Sequence, residues 1–212
     1  MNFDFAMLIP PFGGVGLKAF DRLNVEITST LFMPSGFMKV DGNYTTKAFE
    51  EWRPEDWPKT YQTSYKNIFA IGIAFAPPHQ ISRPRKSKNG TVIAPAPPRT
   101  GMPSATMGRA VAKSIADMIN GVSLSPTHSA SMAELGAACV ASAGANAING
   151  SAVSMTMYPI VPDYQKYPEG GGRNLDHTTG EIGSAGHWIK KLLHYAFLYK
   201  AKAYPFWWII PE

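Results

Sequence analysis

Two short pieces constrain this chain more than anything else in it. Residues 67–72, Asn-Ile-Phe-Ala-Ile-Gly, read as a buried strand that stops at a glycine. Further on, Thr100-Gly101-Met102-Pro103-Ser104 reads as a tight turn that opens a helix. First-turn amides have no acceptor inside their helix, and the helix dipole is positive at that end. A glycine-ended strand beside such a terminus therefore lets backbone amides face an electron-rich ligand. The Gly-x-Gly-x-x-Gly phosphate loop of a dinucleotide-binding fold is missing from the sequence. The expectation is the later part of a cofactor enzyme whose earlier part lies elsewhere.

Composition narrows the class. The 212 residues suffice for one large domain or two small ones, and 45% hydrophobic content is ordinary for a folded protein. Charged residues make up only 17%, while 18 Pro and 19 Gly indicate many loops. The net charge is +5, but the basic residues are scattered or gathered near the C-terminus. That pattern speaks against nucleic acid and for an anionic membrane surface. Cys139 is the only cysteine, so no disulfide forms within the chain, which fits a reducing compartment. The first residues, Met-Asn-Phe-Asp-Phe, carry no basic segment ahead of an apolar run, so no signal peptide is expected. No apolar run reaches membrane-spanning length.

Along the chain, residues 2–10 read as a strand stopped by Pro10-Pro11, and 17–31 as a short helix followed by a strand. Residues 36–44 read as a hairpin turning at Asp41-Gly42. Residues 50–58 form a loop, and the strand at 68–71 follows. The long stretch 77–98 is irregular and carries Arg83, Arg85, Lys86 and Lys88, a cluster able to touch a phosphate. Helical spacing of Ala105, Gly108, Ala112, Ile115 and Ile119 predicts a helix over 104–120, stopped by Gly121. Residues 151–160 alternate like a strand, and 163–183 read as loop. A second helix is expected over 188–203, with Trp188, Leu192 and Ala196 on one stripe. An aromatic tail follows, through Phe206, Trp207 and Trp208.

In that order, the run Tyr65-Lys-Asn-Ile-Phe-Ala-Ile-Gly72, the run Thr100-Gly-Met-Pro103, Cys139 within Ala-Ala-Cys-Val-Ala, the run Gly186-His-Trp-Ile-Lys-Lys191 and the aromatic tail resemble the C-terminal half of a sulfide:quinone oxidoreductase. These enzymes belong to the flavoprotein disulfide reductase superfamily. The resemblance covers essentially the whole chain. It implies an α/β fold: the C-terminal part of a flavoprotein with two dinucleotide-binding domains, ending in an amphipathic helical membrane-contact region. Residues 1–33 would finish the second dinucleotide-binding domain, 34–122 would return to the FAD-binding domain, and 123–212 would face quinone and membrane.

The resemblance also implies roles. FAD would contact Gly72, Ile73 and Ala74, and the α-helical start at Thr100, Gly101, Met102 and Pro103. The family's aspartate after the strand glycine is Ile73 here, which removes one carboxylate contact. Cys139 would be one of two cysteines that take up sulfide sulfur, the other coming from an N-terminal FAD-binding half outside this sequence. Lys190, Leu193, Phe197, Phe206, Trp207 and Trp208 would meet quinone and membrane, with Leu193 standing where the family often has Phe. The expected protein is an enzyme, incomplete as this chain alone, peripheral on the cytoplasmic face of a membrane and possibly a homo-oligomer. No metal site or nucleic-acid partner is expected. A related flavin enzyme, of the type II NADH dehydrogenase or coenzyme A-disulfide reductase kind, stays open, as does a non-catalytic partner subunit. His187 and His194 are candidates for proton transfer to a reduced quinone.

Overall fold

Tyr61, Trp57 and Phe75 lie fully buried at the centre of a core that runs from Val40 to Val161. The computed structural model describes residues 13–93, 95–144 and 148–210. The strand expected over 2–10 lies outside them. The chain mixes helices with antiparallel sheets among the described residues, so its content is mixed α and β.

The first half is mostly loops held by polar anchors. A four-residue helix, α1 (Thr28–Leu31), follows a turn closed by a bridge between Phe20 and Glu26, which reverses the expected order of helix and strand. The hairpin expected over 36–44 does not form. Asp41 instead turns its carboxylate to residues 59–61, accepting from the amides of Lys59, Thr60 and Tyr61 at 2.7 to 3.1 Å. Met38 then bridges Phe32 on one side and Phe75 on the other. The expected strand at 68–71 is likewise absent as a sheet strand. Phe69 makes one isolated bridge to Gln62, and Gly72 turns the chain at φ +59°. Extended sequence without continuous neighbouring strands leaves only single bridges. In the irregular stretch, β1 (Arg85–Lys86) pairs with β2 (Val92–Ile93).

Helix α2 (Gly101–Ile119) forms where its spacing predicts, one turn longer at its start. It buries Met107, Ala110 and Val111 against the core. Beyond it, β3 (Ala137–Ala143), β4 (Ser151–Met157) and β5 (Thr179–Gly183) make a three-stranded antiparallel sheet with β4 central. The short, glycine-bounded β5 falls where the sequence reads as loop. Helix α3 (Ser184–Ala201) follows directly, beginning one turn before its expected start. Its Gly186 lies near Ala152, Ser154 and Val140, so the first turn of α3 packs on that face of the sheet.

Candidate functional site

The strand-end glycine and the helix start do come together. Gly72 is buried, and a Cβ built there would sit 2.9 Å from Ser104 Oγ, on the first turn of α2. One turn further along, Gly108 leaves room for Ile71. The small residues of α2 thus admit residues 71–72 close to its axis, as bulkier side chains would not. Arg99 fixes the other side: its Nη1 donates to the carbonyls of Ile73 and Phe75, each at 3.1 Å, and its guanidinium lies 4.5 Å above the Phe37 ring. Burial pushes the Arg99 pKa down from its usual value, but a guanidinium stays charged in water-contacting protein. Sequence reading missed Arg99. Its place just before the helix was the available signal.

The opening of α2 is uncapped. Thr100 has the extended backbone of an N-cap, yet its side chain makes no capping hydrogen bond. Gly101 is exposed with nothing within 4 Å of a Cβ position, and Met102 and Ile73 are 43% and 47% exposed. Ala74 is exposed, and Pro103 is buried and needs no acceptor because it has no amide. Seven sequence-predicted positions therefore share one corner, from Gly72 to Ala74 and from Thr100 to Pro103. Its open amides and dipole suit an electron-rich ring edge or an anion.

Cys139 is free and exposed on β3. Directly paired residues of antiparallel strands point to one face. Cys139 pairs with Met155, Ala141 with Val153, and Val153 with Ile182. Val140, Ser154 and Ala152 belong to the alternate set and meet α3. Cys139 therefore stands on the face opposite α3, among Val153, Met155 and Ile182, which are 51%, 44% and 81% exposed. Ala137, two residues earlier on the same strand, is in the core with Met107 and Val111 of α2. No sequence pattern gave this placement, since it follows from register.

The C-terminal candidates stay at the surface. On α3 the only buried residue is His187. Lys190 and Leu193 are exposed, and Phe197 is 64% exposed. A single 3-10 turn (Trp207–Ile209) follows Phe206, whose φ is +65°. Phe206, Trp207 and Trp208 are all exposed. On the stripe expected from the sequence, Trp188 and Leu192 are 50% and 70% exposed.

His187, a proton-transfer candidate from the sequence, lies inside the fold. It is 3% exposed, and neither ring nitrogen has a hydrogen-bond partner. Gly150 packs directly on its ring, where any Cβ would come within 2.5 Å of Cδ2. His194 lies on an exposed turn of α3 beside Tyr195. Among the described residues no cluster of three His, Cys, Asp or Glu side chains could hold a metal ion. No helix of the described residues is long and apolar enough to cross a membrane. Compared with known protein families, curated proteins and solved structures, the chain gives no significant match.

Proposed function

We propose that this chain is the C-terminal part of a sulfide:quinone oxidoreductase-like flavoprotein. The observation that carries the reading is the corner where Gly72, at positive φ, meets the uncapped first turn of α2. Gly72, Ile73, Ala74, Thr100, Gly101 and Met102 would hold the flavin there, with Pro103 shaping the turn. The fit rests on space and polarity: no side chain caps the α2 amides, and nothing fills the place of a Gly101 Cβ. A bound FAD supplies a two-electron acceptor.

Cys139 is the reactive thiol in this reading, and its exposure leaves it open to a small anion such as hydrosulfide. Hydrosulfide would attack a disulfide between Cys139 and a second thiol outside this chain. The new S–S bond on Cys139 forms as the old one breaks, the second thiol leaves as thiolate, and Cys139 keeps the persulfide, while a bound FAD would supply the two-electron oxidant that restores the disulfide. A second thiol, from an N-terminal FAD-binding half, covers the open sheet face. Lys190, Phe197, Phe206, Trp207 and Trp208 lay the C-terminal segment on the cytoplasmic membrane surface, where a lipid-soluble quinone collects the electrons. Leu193 adds apolar surface without a stacking ring.

Mass spectrometry of the chain together with its N-terminal half tests this. After sulfide exposure under oxidising turnover, Cys139 should gain one sulfur atom, and the Cys139→Ser chain should gain none. An unmodified Cys139 in an assembly that does bind flavin would sink the sulfide reading and favour another flavin enzyme. An assembly that binds no flavin would favour a non-catalytic partner.

A further inference from the structure

A second cleft, built from other residues, has no place in that reading. It has a volume of about 500 Å³ between the turn at 49–54, Arg83 and residues 162–165. That size suits a small organic molecule. Its floor is aromatic. Phe49 meets Trp52 edge-on at 4.4 Å between centroids and Tyr164 at 6.2 Å. The far side of Trp52 is braced by His79, stacked at 5.5 Å, and by the buried Trp57 at 6.4 Å. These rings are therefore set before any ligand arrives, which lowers the ordering cost of binding.

The charges at the rim select the ligand. Arg83 lies 5.6 Å over the Phe49 ring and pairs with Glu50 at 2.6 Å, both side chains being more than half exposed. So exposed an ion pair holds weakly and opens readily. Asp163 Oδ1 accepts from the amides of Gln165 and Lys166 at 3.1 and 3.0 Å, which offsets part of its charge. Arg53 lines the same cleft, and no carboxylate among the described residues forms an ion pair with it. An aromatic floor alone would also attract cations. Here a guanidinium already occupies the Phe49 face, so a second cation is repelled. The geometry points to a site for a planar aromatic ring bearing an anionic group: the ring against Trp52 and Tyr164, the anion on Arg53 and on Arg83 once Glu50 lets go. Guanidinium forks suit a carboxylate or a phosphate equally.

Isothermal titration calorimetry on the full chain tests the site, with 2-naphthoate, neutral 2-naphthamide and adenosine 5′-monophosphate as probes. At least one of the two anions should bind saturably, one per chain. The tighter of them identifies the source as an aryl acid or a nucleotide. Naphthamide should bind at least roughly tenfold more weakly than naphthoate, the loss of one charge-assisted contact. Arg53→Gln and Arg83→Gln should each weaken the anion, and Glu50→Gln should tighten it, because its competing carboxylate is gone. All three positions are exposed, and an unchanged circular dichroism spectrum of each variant checks that the fold is kept. Cys139→Ser should leave binding unchanged, which keeps this outcome separate from the sulfide chemistry. Absence of saturable binding by both anions overturns the assignment. So does equal binding of naphthamide, or an affinity indifferent to the arginine changes.

Discussion

At the scale of single residues, Gly72 and Asp56 carry more than their neighbours. Gly72 combines positive φ with a neighbour, Ser104 Oγ, already within reach of an added methyl. Gly72→Ala should therefore lower the unfolding free energy by about 1–3 kcal/mol, through left-handed strain and crowding together. Adding Ser104→Ala should restore only the crowding part, which chemical denaturation of the single and double variants would separate. Asp56 sits under the turn at the aromatic cleft. Burial alone would push its carboxyl up, but hydrogen bonds from Lys47, the Arg53 amide and Asn43 outweigh it and hold the pKa down at about 2. The folded value lies below the unfolded one, so the stabilisation is complete above roughly pH 4 and is lost as pH falls toward 2. Asp56→Asn should cost about 1–3 kcal/mol at neutral pH by leaving donors unmatched. It should also flatten that acid limb. An acid limb as steep as in the unmodified chain would show that other carboxylates govern it.

At the scale of elements, α3 stands apart. Its first turn docks through Gly186 and His187, while the rest presents Trp, Leu, Tyr and Phe side chains to the outside. Lys190 is exposed among them, and the Lys191 ammonium lies 6.0 Å over Trp188. Apolar rings interleaved with cations match the headgroup layer of an anionic bilayer. Replacing Lys190 and Lys191 together by Glu should reduce co-sedimentation with phosphatidylglycerol vesicles at least tenfold, at about 1 kcal/mol per basic residue. Uncharged phosphatidylcholine vesicles should show little difference between the two proteins. Equal loss on both vesicle types would mean that the change had damaged the helix instead. The spacing of apolar residues foretold α2 and α3 because a helix is built from contacts a few residues apart. It did not foretell β5, whose strand character comes from the edge of β4 and not from its own glycines. For the same reason residues 68–71 look like a strand in isolation and find only one bridge in the folded chain.

At the scale of the whole molecule, the exposure of Cys139 has a direct consequence. A thiol-specific reagent should label the native chain to one equivalent, because Cys139 is exposed and is the only cysteine in the sequence. Adding an N-terminal flavin-binding half should protect it. Unchanged labelling in a stable assembly would place the partner elsewhere, leaving the open face of β3 and β4 without a role in assembly. Ala137 of β3 and Met107 and Val111 of α2 belong to one buried cluster.

Local patterns in the sequence determined the two long helices, the turn glycine at 72, the helix opening at Thr100 and the solitary thiol, because each depends on residues close together in the chain. Alternation foretold β4 as well, but tertiary structure alone decided that β3 and β5 pair with it, which sheet face bears Cys139 and that His187 lies buried beneath Gly150. Strand register and side-chain burial arise from partners distant in sequence. A chain read one residue at a time does not contain those pairings.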